Sequence, residues 1–252
     1  MSSSRFTSED VEIRVFTTSE ELARAAAQRV VDALRERPDI VLGLPAGRTP
    51  VGVYADLARL SAAGQADFSR ATAFALDEFV GIDHAHPASF HRFIREHLID
   101  HVGLPIERFH GLDGSADDLQ VECDRYEAAI QQAGRIGLQL LGIGGNGHIG
   151  FNEPANELPA RTHRVTLLDE TRKASAALFN GDVDRVPREA LTMGVGTILT
   201  AQVVILLAAG ESKAASVERM VRGPMTPQLP ASFLQSHRAV EVYLERGAAS
   251  RL

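Results

Sequence analysis

Short apolar runs alternate with longer amphipathic segments along most of the chain. The apolar runs are almost free of charge, which is typical of strands buried in a sheet, and they cover 40–44, 71–76, 136–143, 203–209 and 239–244. The amphipathic segments repeat apolar residues at helical spacing and predict helices at 20–37, 51–63, 89–101, 115–133 and 169–180. Strands that alternate with helices in this way predict an α/β fold, a three-layer sandwich with a mostly parallel central sheet.

The remaining segments predict shorter or looser structure. Residues 1–10 are polar and are expected to be loose, whereas 11–16 alternates apolar and polar residues as a strand does. Residues 187–199 predict a short helix followed by a turn that glycines interrupt. Ser115 is expected to cap the helix that follows it, and a plain helix cap is the alternative to an anion-binding role for Thr49.

Composition and charge narrow the classes of partner. The net charge is −7 without a basic tail or stripe, which argues against nucleic acid as a partner. No apolar run has the length of a membrane span and no signal segment is evident, so a cytoplasmic protein without membrane contact is expected. Cys123 is the only cysteine, and its acidic neighbours disfavour a catalytic thiolate. No composition break divides the 252 residues, so one domain, 1–252, is expected.

Polar side chains follow the predicted strands at the points where those strands end. The carboxyl ends of parallel strands lie at one edge of a sheet, where open α/β sheets bind their ligands. Residues far apart in sequence can therefore converge there: Gly47 with Thr49, Asp77 with Glu78, Asn146 with His148 and Glu153, and Lys213. Solvated turns are the simpler interpretation, but packing explains two adjacent acids at a strand end poorly.

The segment 141–154 carries the strongest chemical signal. Four glycines before His148, Gly145 among them, leave the loop with few side chains near Asn146, His148 and Glu153, and glycine lets a ligand approach the backbone closely. A tight turn followed by an ordinary loop is the alternative. A histidine flanked by a polar residue and a carboxylate, however, can pass protons near neutral pH.

The turn 45–50 and Lys213 suggest an anion site. A strand, a glycine turn and a helix start form an anion cradle, because free N–H groups and the helix dipole both favour negative charge. Lys213 stands at another predicted helix start, where a cation is unfavourable unless it binds an anion. His97 and His101 are spaced one helical turn apart but lack a metalloprotease motif, so no metal site is expected. This set of residues suits proton transfer on a small phosphorylated molecule.

Three blocks of the chain resemble the signature motifs of the glucosamine-6-phosphate deaminases: Leu44-Pro-Ala-Gly-Arg-Thr-Pro50, Leu76-Asp-Glu-Phe-Val-Gly81 and Gly142-Ile-Gly-Gly-Asn-Gly-His-Ile-Gly-Phe-Asn-Glu-Pro154. Residues 161–162, 186–197 and 210–213 also resemble that family, in the same order. The resemblance implies a Rossmann-like sheet and conversion of an amino sugar phosphate, glucosamine 6-phosphate, to fructose 6-phosphate and ammonia. It implies that no metal or redox cofactor is needed.

The resemblance also implies roles for the residues. Asp77 would move a proton from C2 to C1 of the sugar, and His148, oriented by Glu153 and Asn146, would catalyse ring opening. The residues implied to bind substrate are Gly47, Arg48, Thr49, Glu78, Gly145 and Lys213. A mobile lid is expected within 161–192, and a homo-oligomer is a possible assembly.

The chain departs from the family pattern at several positions. Some members carry Asp where this chain has Asn146, and an amide can fix the tautomer of His148 without relaying a proton. The position that matches a phosphate-site Arg of the family is Ala177, and we expect Arg48 to supply the missing charge. His163 and Val165 stand where regulated members carry basic residues, and the chain ends at Leu252 before their longer tail, so little activation by N-acetylglucosamine 6-phosphate is expected.

Three alternatives stay open from the sequence. The same chemistry could act on another amino sugar phosphate, such as galactosamine 6-phosphate. A 6-phosphogluconolactonase would use His148 for ester hydrolysis but would not need Asp77, and that related family lacks the 151–154 continuation. A sugar-phosphate sensor without activity would keep Thr49 and Lys213 but could lose Asp77 or Glu153.

Overall fold

The computed structural model describes residues 4–8 and 11–252. Its strands are β1 (Ser4–Ser8), β2 (Val11–Phe16), β3 (Val41–Leu44), β4 (Thr72–Ala75), β5 (Asp77–Phe79), β6 (Phe109–His110), β7 (Leu138–Gly142), β8 (His163–Thr166), β9 (Glu189–Thr192), β10 (Val203–Ala208) and β11 (Val240–Glu245). Eight of them form the central sheet in the order β1-β2-β11-β10-β7-β3-β4-β6. β1 pairs antiparallel with β2, and all other neighbours in this sheet are parallel.

Helices cover both faces of the central sheet. They are α1 (Ser19–Glu36), α2 (Arg48–Ala62), α3 (Phe90–Ile94), α4 (Asp100–Val102), α5 (Leu119–Gln132), α6 (Asp169–Ser175), α7 (Val195–Leu199) and α8 (Ala214–Arg222). A π-helical turn, Arg95–Ile99, joins α3 to α4, and the 3₁₀ turns are Ile106–Arg108, Ala176–Phe179, Val183–Arg185, Glu211–Lys213 and Pro230–Ser236. Within the described residues, no helix is both long and apolar enough to span a membrane.

The core of the central sheet lies in two layers, one on each side, and a smaller cluster is built around Phe79, Phe90 and Phe151. On one side, Leu22 and Val30 of α1 and Leu57 of α2 are buried against strand residues such as Leu42. On the other side, the buried residues of α5, α7 and α8, such as Tyr126, pack against the opposite faces of the strands. The three-layer α/β prediction is therefore confirmed, and its physical reason is that each helix buries one apolar stripe on the sheet.

The strand order reverses at the centre of the sheet. From β3 the chain winds outward through β4 to β6, and it then returns to β7 on the other side of β3 before continuing to β10 and β11. The loops after β3 and β7 consequently leave the sheet side by side and lead to opposite faces. Such a switch point is where doubly wound sheets leave a crevice for a ligand.

A second, three-stranded sheet stands at the carboxyl edge of the first. β5 follows β4 after Leu76 and pairs antiparallel with β9, which pairs antiparallel with β8. The bend at Leu76 is held from both sheets, because its N–H donates to Leu44 O at 2.9 Å and its carbonyl accepts from Met193 N at 2.9 Å. Asp77 therefore begins the strand that links the two sheets.

The structure differs from the sequence prediction in several segments. Residues 187–199 hold a strand before their helix, because Ala190 and Leu191 are buried by pairing between β5 and β8, a tertiary effect. Asp118, and not Ser115, caps α5 by accepting from two backbone N–H groups. Within 1–10, Ser4–Ser8 forms β1 where no element is predicted, and residues 1–3 and 9–10 lie outside the described part of the chain.

A buried glutamine crosses the centre of the sheet. Gln139 of β7 is fully buried, and its amide donates to Leu140 O at 2.8 Å while its Oε1 has no partner within the described part of the chain. The side chain lies over Gly43 of the neighbouring strand, so a Cβ at Gly43 would stand 1.9 Å from Gln139 Oε1. Position 43 therefore requires glycine, because a larger residue would collide with the Gln139 side chain.

Gly43→Ala is expected to lower the free energy of unfolding by about 1–3 kcal/mol, the usual effect of overpacking a core. Denaturant unfolding of the single variants and of Gly43→Ala with Gln139→Ala measures the effect. The same methyl group should be much better tolerated once the glutamine side chain is gone. Fully additive effects of the two changes would contradict the contact.

Candidate active site

A pocket opens at the carboxyl ends of four adjacent strands, β10, β7, β3 and β4. Its volume is about 240 Å³, below the roughly 300–1,000 Å³ of pockets for drug-sized ligands, so it suits a molecule the size of a monosaccharide. Eight of the ten predicted site residues line it: Gly47, Arg48, Thr49, Asp77, Gly145, Asn146, His148 and Lys213. Glu78 and Glu153 are buried behind its wall. A larger surface cleft of about 590 Å³, beside Val80 and Arg164, contains none of the ten.

Asp77 presents a buried carboxyl group to this pocket. Asp77 is 6% exposed, and among the described residues no side chain or backbone group donates a hydrogen bond to its carboxyl oxygens. Burial raises the pKa of Asp77 well above its usual value, and the neighbouring Glu78 charge adds to the rise. A carboxyl group of this kind holds a proton tightly and is a stronger base than a solvated aspartate.

His148 and Glu153 form a couple on the loop after β7. His148 Nδ1 lies 3.6 Å from Glu153 Oε2, and Asn146 Nδ2 donates to the same carboxylate oxygen at 3.0 Å. Asn146 Oδ1 accepts from the His148 backbone N–H at 3.2 Å, so the amide side chain joins both members of the couple. Burial opposes ionisation of Glu153, yet its hydrogen-bond partners and His148 leave its pKa below the usual value.

Thr171 of α6 is a member of this group that sequence reasoning missed. Its Oγ1 lies 3.5 Å from His148 Nδ1, and the same side chain helps to lower the pKa of Glu153. The Leu168 backbone N–H donates to Glu153 Oε1 at 3.2 Å. A threonine within a helix has no chemical signature until the position of that helix is known, so the sequence contained no signal that singles it out.

The turn after β3 and the start of α2 form the anion-binding part of the pocket. Gly47 precedes α2 with φ +113°, a backbone conformation that favours glycine, and no side chain among the described residues caps the helix. The first N–H groups of α2 therefore have no side-chain cap, which favours an anion-binding role for this turn over the alternative of a cap by Thr49. The Tyr54 hydroxyl donates to Pro45 O at 2.6 Å and fixes the turn from beneath.

Arg48 and Lys213 line the pocket together. Burial lowers the pKa of Lys213, the charge of Arg48 lowers it further, and Glu170 opposes this effect. Two cations that repel each other at one wall are typical of a site for an anion. Arg172 does not join them, because its guanidinium is buried and donates to Val183 O and Val186 O.

The other residues weighed for chemistry lie outside the pocket. Burial and then Glu122 raise the pKa of the Cys123 thiol to about 11, which disfavours a thiolate as the sequence predicts. His101 Nε2 is 2.8 Å from Glu96 O, in contact with its own helix. Among the described residues, no cluster of three or more His, Cys, Asp or Glu side chains is placed to hold a metal ion.

The chain matches a family of sugar-phosphate enzymes. The family model described as glucosamine-6-phosphate isomerases/6-phosphogluconolactonase matches residues 17–243. A solved structure of a 6-phosphogluconolactonase from Thermotoga maritima aligns over 93% of this chain and 99% of its own, with 22% identity and a TM-score of 0.72. At that identity the likeness supports the fold alone.

More similar relatives narrow the family. The glucosamine-6-phosphate deaminase of Rhodopirellula baltica is 47% identical over 96% of both chains, and glucosamine-6-phosphate deaminase 2 of Bacillus subtilis is 43% identical over 92% of this chain and 94% of its own. The solved structure of a monomeric glucosamine-6-phosphate deaminase is 41% identical, with a TM-score of 0.92, over 95% of this chain and 99% of its own. The chain belongs to the glucosamine-6-phosphate deaminase family of enzymes.

Asp77→Asn is expected to raise the melting temperature near neutral pH. A carboxyl group whose pKa is raised by folding destabilises the folded state when it is ionised, and the amide has no charge to bury. The penalty is absent below about pH 4, near the pKa of an unfolded aspartate, and grows as the pH rises toward the folded-state pKa.

Thermal unfolding of both proteins between pH 4 and pH 8 measures this effect. The gain in melting temperature of Asp77→Asn should be large at the upper end and vanish at the lower end. A difference that does not vary with pH would contradict a raised pKa for Asp77.

Proposed function

We propose that the protein catalyses the isomerising deamination of glucosamine 6-phosphate, which with water gives fructose 6-phosphate and ammonia. The observation that carries this proposal is one pocket that combines a buried base, Asp77, with the His148–Glu153 couple and the Arg48–Lys213 cation pair. Membership of the deaminase family supports the reaction class. The choice of glucosamine 6-phosphate over other amino sugar phosphates is a separate part of the proposal.

His148 opens the sugar ring in this proposal. The imidazole takes the proton of the C1 hydroxyl group and returns one to the ring oxygen, which leaves an open-chain aldehyde. Thr171 and Glu153 lie on the Nδ1 side of the ring, which leaves Nε2 for the sugar. A carboxylate near Nδ1 favours the tautomer with the proton on that nitrogen and stabilises the imidazolium that forms during transfer.

Asp77 carries out the isomerisation. Its carboxylate removes the proton from C2 while O1 takes up a proton, which gives an enolamine. It then delivers the C2 proton to C1 as the nitrogen gives up one proton, so the C2–nitrogen bond becomes an imine. Water then adds to C2, and ammonia leaves to give the ketose. A carboxylate without protein hydrogen bonds is free to reach both carbons, and a raised proton affinity strengthens it as the base.

Arg48, Lys213, Thr49 and the free N–H groups after Gly47 hold the phosphate group. The phosphate dianion would offset the repulsion between the two cations. Gly145 contributes backbone at the pocket wall, where the Glu170 carboxylate stands opposite. Arg48 supplies the charge that Ala177 lacks relative to the family pattern.

We further propose that residues 1–252 act as one domain with its moving part within 161–192. This segment contributes Thr171, Ala174 and Ser175 to the pocket. It joins the rest of the molecule through β8 and β9, so α6 could open while the pairing with β5 persists.

The purified protein is expected to release ammonia from glucosamine 6-phosphate, and Asp77→Asn should lower kcat by roughly 10²-fold or more, since it removes the base. An enzyme-coupled ammonia assay measures both, with galactosamine 6-phosphate and 6-phosphogluconolactone as parallel substrates. Release of ammonia from galactosamine 6-phosphate alone would show that the enzyme prefers that sugar, and the proposed mechanism would stand. No release from either sugar, with hydrolysis of the lactone, would overturn the proposal.

Arg48→Ala is expected to raise KM for the sugar phosphate roughly 10- to 100-fold with little change in kcat, because a charged donor to phosphate contributes about 1.5–3 kcal/mol. Lys173→Ala is the matched control, since it removes an exposed cation of α6 that does not line the pocket. Steady-state kinetics at constant ionic strength measure both variants. Equal KM values for Arg48→Ala and the control would exclude Arg48 as a phosphate ligand.

A further inference from the structure

Glu78 directs its carboxylate away from the pocket. Its Oε1 accepts from the backbone N–H of Phe79 at 2.9 Å and of Phe90 at 3.0 Å. Its Oε2 accepts from the Ser89 hydroxyl at 2.7 Å and from the His91 backbone N–H at 3.0 Å. The residue is 1% exposed, so these donors and not substrate surround both oxygens.

Asp77 and Glu78 are adjacent acids in opposite environments. Both are buried, but Glu78 has four hydrogen-bond donors and Asp77 has none among the described residues. Two close carboxylates resist carrying charge together, so a single proton goes to the one whose ionised form is less well stabilised. Burial raises the pKa of both acids, but at Glu78 the four donors oppose the rise, whereas nothing opposes it at Asp77. The donors therefore favour the ionised form of Glu78 and leave the proton to Asp77.

We propose that Glu78 is a positioning residue that holds the negative charge of the Asp77–Glu78 pair, which leaves the proton to Asp77 and keeps that residue basic. This role rests on the proposed function, because it gives Asp77 the part of the base. In this role Glu78 does not bind the substrate, in contrast to the contact that the sequence resemblance implies. Neighbouring acids whose surroundings divide the proton in this way recur where one must act as acid or base.

The same contacts place a wall of the pocket. Through Ser89 and the Phe90 N–H, Glu78 anchors the start of α3 to β5. The Phe90 ring lines the pocket and packs on Phe79, with ring centroids 4.9 Å apart, and on Phe151, with centroids 5.6 Å apart. Phe151 belongs to the loop that carries His148. Glu78 therefore connects the strand of the base with the loop of the histidine.

Among the described residues, the shifted ionisable groups packed against the pair from α2, α3 and α5 carry no compensating charge. Tyr54 and Tyr126, from α2 and α5, face Asp77, and burial raises the pKa of both phenols, so they are neutral. Burial and then His84 lower the pKa of His91 to about 4, so the His91 imidazole is neutral too. Across the pocket stand His148 and the cations Arg48 and Lys213.

Glu78→Gln tests this role through the pH dependence of kcat/KM. Asp77 must be ionised to act, so activity falls as the pH drops through its raised pKa. Without the Glu78 charge that acid limb should move to lower pH by about 1–2 units, and kcat should fall roughly tenfold or more because the base is weaker and less well placed. The substrate phosphate titrates in all variants alike, so the shift between them is the readout.

Glu127→Gln is the matched control. Glu127 is as buried as Asp77, and its Oε1 accepts from the Thr162 N–H and from the hydroxyls of Thr162 and Thr197, each at 2.6 Å. Its substitution should lower stability as Glu78→Gln does but leave the acid limb in place. A folded Glu78→Gln protein with an unmoved limb, or with unchanged kcat and a tenfold higher KM, would overturn the positioning role.

Carboxyl ¹³C NMR separates failure of this role from failure of the proposed function. In the unchanged protein, with Asp77→Asn and Glu78→Gln for assignment, the Asp77 carboxyl should titrate at higher pH than that of Glu78. The reverse order would overturn the division of the proton, whether or not the protein releases ammonia and even if Glu78→Gln does not fold. Absence of ammonia release with the expected order would reject the substrate and keep the division.

Discussion

The parallel pairing of β3 with β7 is the interaction on which the site depends. These strands are more than ninety residues apart, and their register aligns Leu42 with Leu138 and Gly43 with Gln139. Because the winding of the chain reverses between them, the anion-binding turn and the histidine loop leave the sheet as neighbours. The bend at Leu76 then delivers Asp77 to the same crevice from β4. A few backbone pairings thus bring these three separate parts of the chain to one pocket.

Burial of three acids gives this pocket its chemical character. Asp77, Glu78 and Glu153 are each 6% exposed or less, yet their surroundings differ. Glu78 faces the donors at the start of α3, Glu153 faces Asn146 and the backbone of α6, and Asp77 faces the pocket. Folding therefore lowers the pKa of Glu153 and raises that of Asp77 well above its usual value. A free enzyme with an unsatisfied carboxyl is less stable than it could be, a recurrent feature of sites built to react.

Most strands and helices were accessible from the sequence because their signals are local. The apolar runs and helical repeats predict the central sheet and its covering helices, and the motifs around Gly47, Asp77 and His148 indicate where chemistry lies. The sequence does not predict β9, because Glu189–Thr192 becomes a strand only by pairing with β5 and β8. The same holds for Thr171, whose hydroxyl matters only where α6 meets the histidine loop.

The sequence by itself determined the α/β class, the family and the residue types at the strand ends, since periodicity and motif spacing are properties of the chain. The tertiary structure decided which of those residues share a pocket and which way each carboxylate faces. Asp77 and Glu78 are neighbours of the same chemical type in the sequence, and nothing local distinguishes them. Alternation along β5 and the docking of α3 turn one toward the pocket and the other toward backbone donors, because successive side chains of a strand point to opposite sides.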